Sequence, residues 1–124
     1  MWQMAQEDHR DEAVAFVKRY EVLVGNQISR SSLGIEGVID LARARGGVAV
    51  DCADGGIEGV GLYTLGVPSD DFYDLRIGYI LLMMLSPSRR FGRFQKGLVF
   101  ILRKMRAGGA SHVQFKSRKE NEYE

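Results

Sequence analysis

One stretch of this 124-residue chain, residues 77–116, constrains its fold more than any other. It opens with an apolar run, Ile77–Leu85, which is too short to span a bilayer as a helix and predicts a buried strand. A helical pattern over 94–107 follows and ends at a pair of glycines, and a second strand is predicted over 110–116. The order strand, turn, helix, strand predicts a βαβ unit.

The turn inside this unit is basic. Arg89, Arg90 and Arg93 surround Gly92, directly before the predicted helix. The first N–H groups of a helix lack intrahelical acceptors, and the helix dipole adds partial positive charge there. The turn therefore predicts a phosphate or pyrophosphate site, in which Gly92 lets the backbone approach an anion or takes a positive φ. The alternative is that the arginines are only solvated and Gly92 is only a turn residue.

These residues resemble the acetyl-CoA-binding core of the GCN5-related N-acetyltransferases. That family has a strand ending near a proline, a turn of the form Arg/Gln-x-x-Gly-x-Gly/Ala, and a long helix. Here Pro87 follows the strand, and Arg89 and Gly92 match the first and fourth turn positions. Phe94 departs from the family, which has Gly or Ala at that position. The resemblance covers the second half of the chain better than the first.

The resemblance implies acetyl-CoA as a cosubstrate. It implies that the turn amides and arginines hold the CoA pyrophosphate, that the end of the strand pairs its backbone with the pantetheine arm, and that an Asn after the last strand faces the cofactor. The cofactor-binding candidates are Met83, Met84, Leu85, Arg89, Arg90, Gly92, Arg93, Phe94 and Asn121.

The first half of the chain completes an α+β pattern. Apolar residues at helical spacing predict one helix over 7–20, with Ala13, Phe16, Val17 and Tyr20 on one face, and a second helix after a Ser31 or Ser32 cap. Strands over 48–52 and 57–65 flank a glycine-rich turn, and a polar loop over 66–76 leads into the apolar run.

We therefore expect a single domain over 1–124 with a mixed, mostly antiparallel sheet flanked by helices. Residues 1–47 form its helical N-terminal part, 48–116 its sheet and cofactor-binding core, and 117–124 a charged tail.

Composition excludes several classes of function. The 17 Lys and Arg residues nearly balance the 16 Asp and Glu residues, so net charge does not favour nucleic acid or an anionic membrane. Cys52 is the single cysteine and cannot form an intramolecular disulfide. His9 has no second His or Cys close by that would complete a metal site, and a lone strand histidine such as His112 is more often a packed or surface residue than a catalyst. With no signal-peptide pattern at the start, we expect a cytoplasmic protein.

The function that the resemblance implies is N-acyl transfer to an amine of unknown identity. The central strand has no carboxylate, so a general base would come from Asp71, Asp74 or a water relay, and the catalytic residues stay unknown. Tyr123 lies too close to Asn121 to carry over the family's tyrosine acid. The alternative is a non-catalytic structural or regulatory protein on the same scaffold. A third reading is another α+β domain whose basic turn holds some other anion.

The sequence also predicts self-association. The family continues past the last predicted strand into a further helix and two strands, which this sequence lacks. An uncovered sheet edge invites pairing with another chain. We therefore expect a homodimer or a larger oligomer.

Overall fold

The computed structural model describes residues 1–21, 33–66, 75–87 and 91–115, which form an α+β fold. Its helices are a 3-10 turn (Glu7–His9), α1 (Arg10–Tyr20), α2 (Gly34–Arg45) and α3 (Phe91–Ala107). Its strands are β1 (Trp2–Met4), β2 (Gly46–Ala53), β3 (Gly56–Leu65), β4 (Ile77–Leu85) and β5 (His112–Phe115). No helix in these ranges is long and apolar enough to cross a membrane.

The five strands form one sheet in sequence order, β1-β2-β3-β4-β5. The first three pairings are antiparallel, and β4 pairs with β5 in parallel. A parallel pair needs a crossover connection, which α3 supplies. The predicted antiparallel meander and βαβ unit are both confirmed, and β4 has the predicted bounds.

Helices cover both faces of the sheet. On β2, Val48 and Val50 point into a core built with α1 and α2, whereas Ala49 points into a second core under α3. This alternation follows from the two-residue period of a strand. Asp51, the next residue on the α3 face, is fully buried there.

The α1–α2 layer largely follows the predicted pattern. Ala13, Phe16 and Val17 are buried, although the first turn of the predicted helix is the 3-10 turn. The two helices are also joined at the surface, because the Arg10 guanidinium donates hydrogen bonds of 2.7 and 2.8 Å to Asp40 and holds the pKa of that carboxyl below its usual range. The predicted serine caps of α2 lie outside the described residues.

The α3 layer sits close to the sheet because the residues beneath it are small. A Cβ atom on Gly61 would overlap the side chain of Ile101, and one on Gly59 would lie 2.8 Å from Leu85 Cδ2. Gly97 allows the same close approach from the side of the helix, since it lies against the indole ring of Trp2.

The structure corrects the predicted start of α3 and excludes one of the two alternatives for Gly92. Helix α3 begins at Phe91, three residues before the predicted start, so Gly92 and Arg93 belong to its first turn. The glycines with positive φ are Gly34, Gly56 and Gly109 among the described residues, so Gly92 does not take a positive φ. The sequence pattern also gave no sign of β1, whose three residues are too few to show an alternation.

The contact between Gly97 and Trp2 yields a stability prediction. Gly97→Ala places a methyl group into the indole ring, so we expect a loss of about 1–3 kcal/mol in the free energy of unfolding. Gly92→Ala is the matched control on the same helix, because its Cβ would meet nothing within 4 Å. The control should be unchanged or up to about 1 kcal/mol more stable. Urea unfolding followed by circular dichroism measures both, and equal stability of the two variants would contradict the packing.

Candidate functional site

The second half of β4 runs beyond the described part of β5, its parallel neighbour. Pairing with β5 extends from Ile77↔His112 to Ile80↔Phe115, where the described part of β5 ends. On its other side, β4 stays paired with β3 as far as Gly59↔Leu85. The backbone groups of residues 81–85 that point away from β3 therefore lie beyond the last described β5 pair.

A β-bulge in β4 directly follows its last described pair with β5. Leu62 pairs with Leu82 and Tyr63 pairs with Ile80, so Leu81 is an extra residue on β4. A bulge re-aims the local backbone and is frequent beside active sites. The sequence gave no signal for this one, because a bulge inside an unbroken apolar run alters no residue pattern.

The side chains near the end of β4 fix the strand from both faces. Met83 is buried in the α3 core, and Met84 is buried in the α1–α2 core. Leu85 packs partly against the α3 core. Since these side chains are committed to packing, the backbone edge is the part of this segment that a ligand can contact.

Ser86 anchors the end of the strand. Its N–H donates to the Glu58 carbonyl at 2.9 Å, and its hydroxyl donates to Glu58 Oε2 at 2.7 Å. Glu58 is the extra residue of a second bulge, because Asp51 pairs with Gly59 and Cys52 pairs with Ile57. A carboxylate therefore lies beside the end of β4 although β4 itself has none, a juxtaposition that only the strand pairing reveals.

The first turn of α3 carries the predicted turn amides of Gly92, Arg93 and Phe94. Gly92 is exposed, and the space beside its Cα is open. Amides in a first turn have no intrahelical acceptor, and the helix dipole favours an anion there. Of the other predicted site residues, Arg89, Arg90 and Asn121 lie outside the described residues.

The side chain of Arg93 has a different partner from the predicted anion. Its Nε donates to Asp51 Oδ2 at 2.9 Å, and a terminal nitrogen is paired with Asp51 Oδ1. The amino group of Met1 also lies 2.8 Å from that oxygen. The Arg93 backbone is thus at the predicted place, while its guanidinium is turned towards the sheet.

Trp2 holds the same turn from β1. Its indole Nε1 donates to the Arg93 carbonyl at 2.8 Å, and its ring lies against Gly97 one turn further along α3. The first turn of α3 is therefore attached to both β1 and β2. The sequence pattern gave no sign that Trp2 and Gly97, which are distant in sequence, would lie against each other.

Phe94 is partly buried and packs against the α3 core. A large side chain at this position could either crowd a bound pyrophosphate or anchor the helix in the core. The structure shows the core position, so the departure from the small residue of the family motif is accommodated by packing.

An open groove with a volume of about 660 Å³ runs along the β1 side of α3 and begins at the same turn. Lys96 and Arg103 add positive charge to it, and Val99 and Phe100 add apolar surface. The groove makes the start of α3 accessible from the β1 side.

The sequence matches no family model and no curated protein. The fold, however, matches solved acetyltransferases. An acetyltransferase from Vibrio fischeri has a TM-score of 0.74 at 14% identity, with 94% of this chain and 95% of that chain covered. A predicted acetyltransferase with acetyl-CoA from Clostridium acetobutylicum also has a TM-score of 0.74, at 15% identity, with 94% and 80% covered. A Trypanosoma brucei acetyltransferase has a TM-score of 0.71 at 17% identity, with 98% and 84% covered.

These comparisons show that the chain has the α+β fold of these acetyltransferases, in agreement with the fold that the sequence resemblance implied. The likeness extends over nearly the whole chain, including the N-terminal half for which the sequence motif gave little support. At identities of 14–17%, the likeness concerns the fold alone.

Proposed function

We propose that the protein is an acetyl-CoA-dependent N-acyltransferase that acts on an amine. One observation carries this proposal: β4 continues past the described part of β5, and the open first turn of α3 follows shortly after the end of β4. A strand edge suits an amide-containing pantetheine arm, and a helix N-terminus suits a pyrophosphate. The similar fold of the Clostridium acetobutylicum protein, which was solved with acetyl-CoA, supports the same ligand.

The proposed contacts divide the cofactor between two elements. The amides of Gly92, Arg93 and Phe94 bind the pyrophosphate, with Arg89 and Arg90 supplying positive charge. The backbone of Met83, Met84 and Leu85 pairs with the pantetheine arm, and Asn121 faces the cofactor.

The reaction asks little of the protein beyond orientation. The amine nitrogen attacks the thioester carbonyl, a C–N bond forms, the C–S bond breaks, and the amine gives up a proton while the leaving thiolate gains one. Amide groups at the Leu81 bulge polarise the carbonyl as charge develops on its oxygen. The amine proton passes to Asp71, Asp74 or a water, since β4 itself has no carboxylate.

A non-catalytic protein on the same scaffold is the second candidate. The absence of a carboxylate from the sequence of β4 favours it. Phe94 does not favour a non-catalytic protein, because its ring packs against the core. Binding of acetyl-CoA without turnover would separate this candidate from the first.

Calorimetric titration with acetyl-CoA and CoA tests the proposed function. We expect micromolar binding of both, and a loss of at least about tenfold for Gly92→Glu, whose carboxylate would repel the pyrophosphate. Gln95→Glu is the matched control, because it adds the same charge at an exposed position three residues further along α3. An affinity near that of the wild type is expected for this control.

The outcomes distinguish the candidates. No binding by the wild type at millimolar ligand would exclude an acyl-CoA enzyme, and an unchanged affinity for Gly92→Glu would place the anion elsewhere. If acetyl-CoA binds, a free-thiol assay over a panel of primary amines and polyamines decides between an enzyme and a non-catalytic binder.

We also propose a homo-oligomer formed through the β5 edge. Val113 and Phe115 are each 43% exposed there, which is unusual for apolar strand residues. Light scattering at micromolar concentration should show a dimer or larger species, and Val113→Lys should convert it to a monomer. Val99→Lys is the matched control, since Val99 is 46% exposed on α3. A monomeric wild type would contradict the proposal.

A further inference from the structure

The start of α3 is attached to one cross-strand row of the sheet. Trp2 pairs with Asp51, Asp51 with Gly59, and Gly59 with Leu85, so this row runs from β1 to the end of β4. Arg93 lies above it and contacts its first two members. We infer that Asp51 is a positioning residue, which fixes the first turn of α3 and with it the amides that bind the CoA pyrophosphate.

The effect of Asp51 on CoA binding rests on the proposed function. The attachment of the first turn of α3 to Asp51 follows from geometry alone. The Asp51 side chain is 0% exposed and the Arg93 side chain is 31% exposed. A buried carboxylate is costly unless it is paired and hydrogen-bonded. Arg93 meets this need with two hydrogen bonds to the two carboxylate oxygens.

A paired contact of this kind fixes orientation as well as distance. Two parallel N–H···O bonds between a planar guanidinium and a carboxylate allow little rotation of either group. The indole of Trp2 adds a third bond, to the carbonyl of the same residue. Arg93 is therefore held through both its side chain and its backbone, and the neighbouring amides of Gly92 and Phe94 are held with it.

The row also explains how the two halves of the cofactor site keep their spacing. Gly59 has no side chain between Asp51 and Leu85, and a Cβ atom there would lie 3.0 Å from the Trp2 ring. The indole consequently fits over the row and beneath α3. The first turn of α3, proposed to bind the pyrophosphate, and the end of β4, proposed to bind the pantetheine arm, are thus both positioned by the same four residues.

Asp51→Asn separates positioning from direct anion binding, because the two roles predict opposite results. If Asp51 positions the turn, Asn weakens the paired contact and CoA affinity falls roughly fivefold or more. If Arg93 instead contacts the ligand and Asp51 only restrains it, Asn frees a cation and the affinity rises. Arg106→Gln is the control, since it removes an exposed cation from the last turn of the same helix, away from Asp51 and from the first turn.

Trp2 supplies a readout that does not depend on CoA. It is the only tryptophan of the chain, and its indole contacts the first turn of α3, so its emission reports that turn directly. We expect a red shift for Asp51→Asn and no shift for Arg106→Gln. The double variant Asp51→Leu/Arg93→Met guards against simple unfolding, because apolar pairs often replace buried ion pairs without loss of stability.

For this double variant we expect a melting temperature near that of the wild type together with reduced CoA affinity. Full affinity of the double variant, or unchanged or tighter binding by Asp51→Asn, would overturn the positioning role. A wild type that binds no CoA would refute the proposed function instead. The Trp2 emission of Asp51→Asn would then test only whether Asp51 fixes the first turn of α3. A red shift supports this attachment, and an unchanged spectrum overturns it.

Discussion

The ion pair between Asp51 and Arg93 is the interaction on which the arrangement of α3 depends. A carboxylate on the covered face of a sheet has no access to bulk water, so the fold needs a cationic partner above it. That partner, Arg93, lies in the first turn of α3. Trp2 and Gly97 form a further contact between β1 and α3, because the indole ring occupies the space that a side chain at position 97 would fill. The edge strand β1, although only three residues long, is thereby tied to the helix that crosses the sheet.

The second constraint is that β4 contributes side chains to both cores and its backbone edge to the candidate site. Its side chains are divided between two cores, one on each face of the sheet, which holds the strand in place without using its free backbone edge. The bulge at Leu81 directly follows the last described pair to β5, so the strand changes its backbone direction at the end of the described pairing. A strand edge that extends beyond the described β5 pairs, next to a helix N-terminus, suits a long ligand that has amide groups at one end and an anion at the other.

The sequence predicted the features that depend on local pattern. The bounds of β4 and the buried faces of α1 and β2 follow from apolar residues at a fixed spacing, and the structure confirms them. The early start of α3 and the pairing of Arg93 with Asp51 depend on residues that are distant in sequence. An arginine beside a predicted helix start has the same sequence signature whether it faces an anion or a buried carboxylate. For Arg93, tertiary structure selected the carboxylate.

Amide NMR with added CoA tests most directly whether the junction of β4 and α3 is the ligand site. In ¹⁵N–¹H spectra of the labelled protein, we predict the largest shift changes at Gly92, Arg93 and Phe94, and a second group of changes at residues 83–85. The amides of α1 and of the β2–β3 turn should change little. Changes concentrated on α1 or in the groove beside Arg103, with the start of α3 unaffected, would contradict this account.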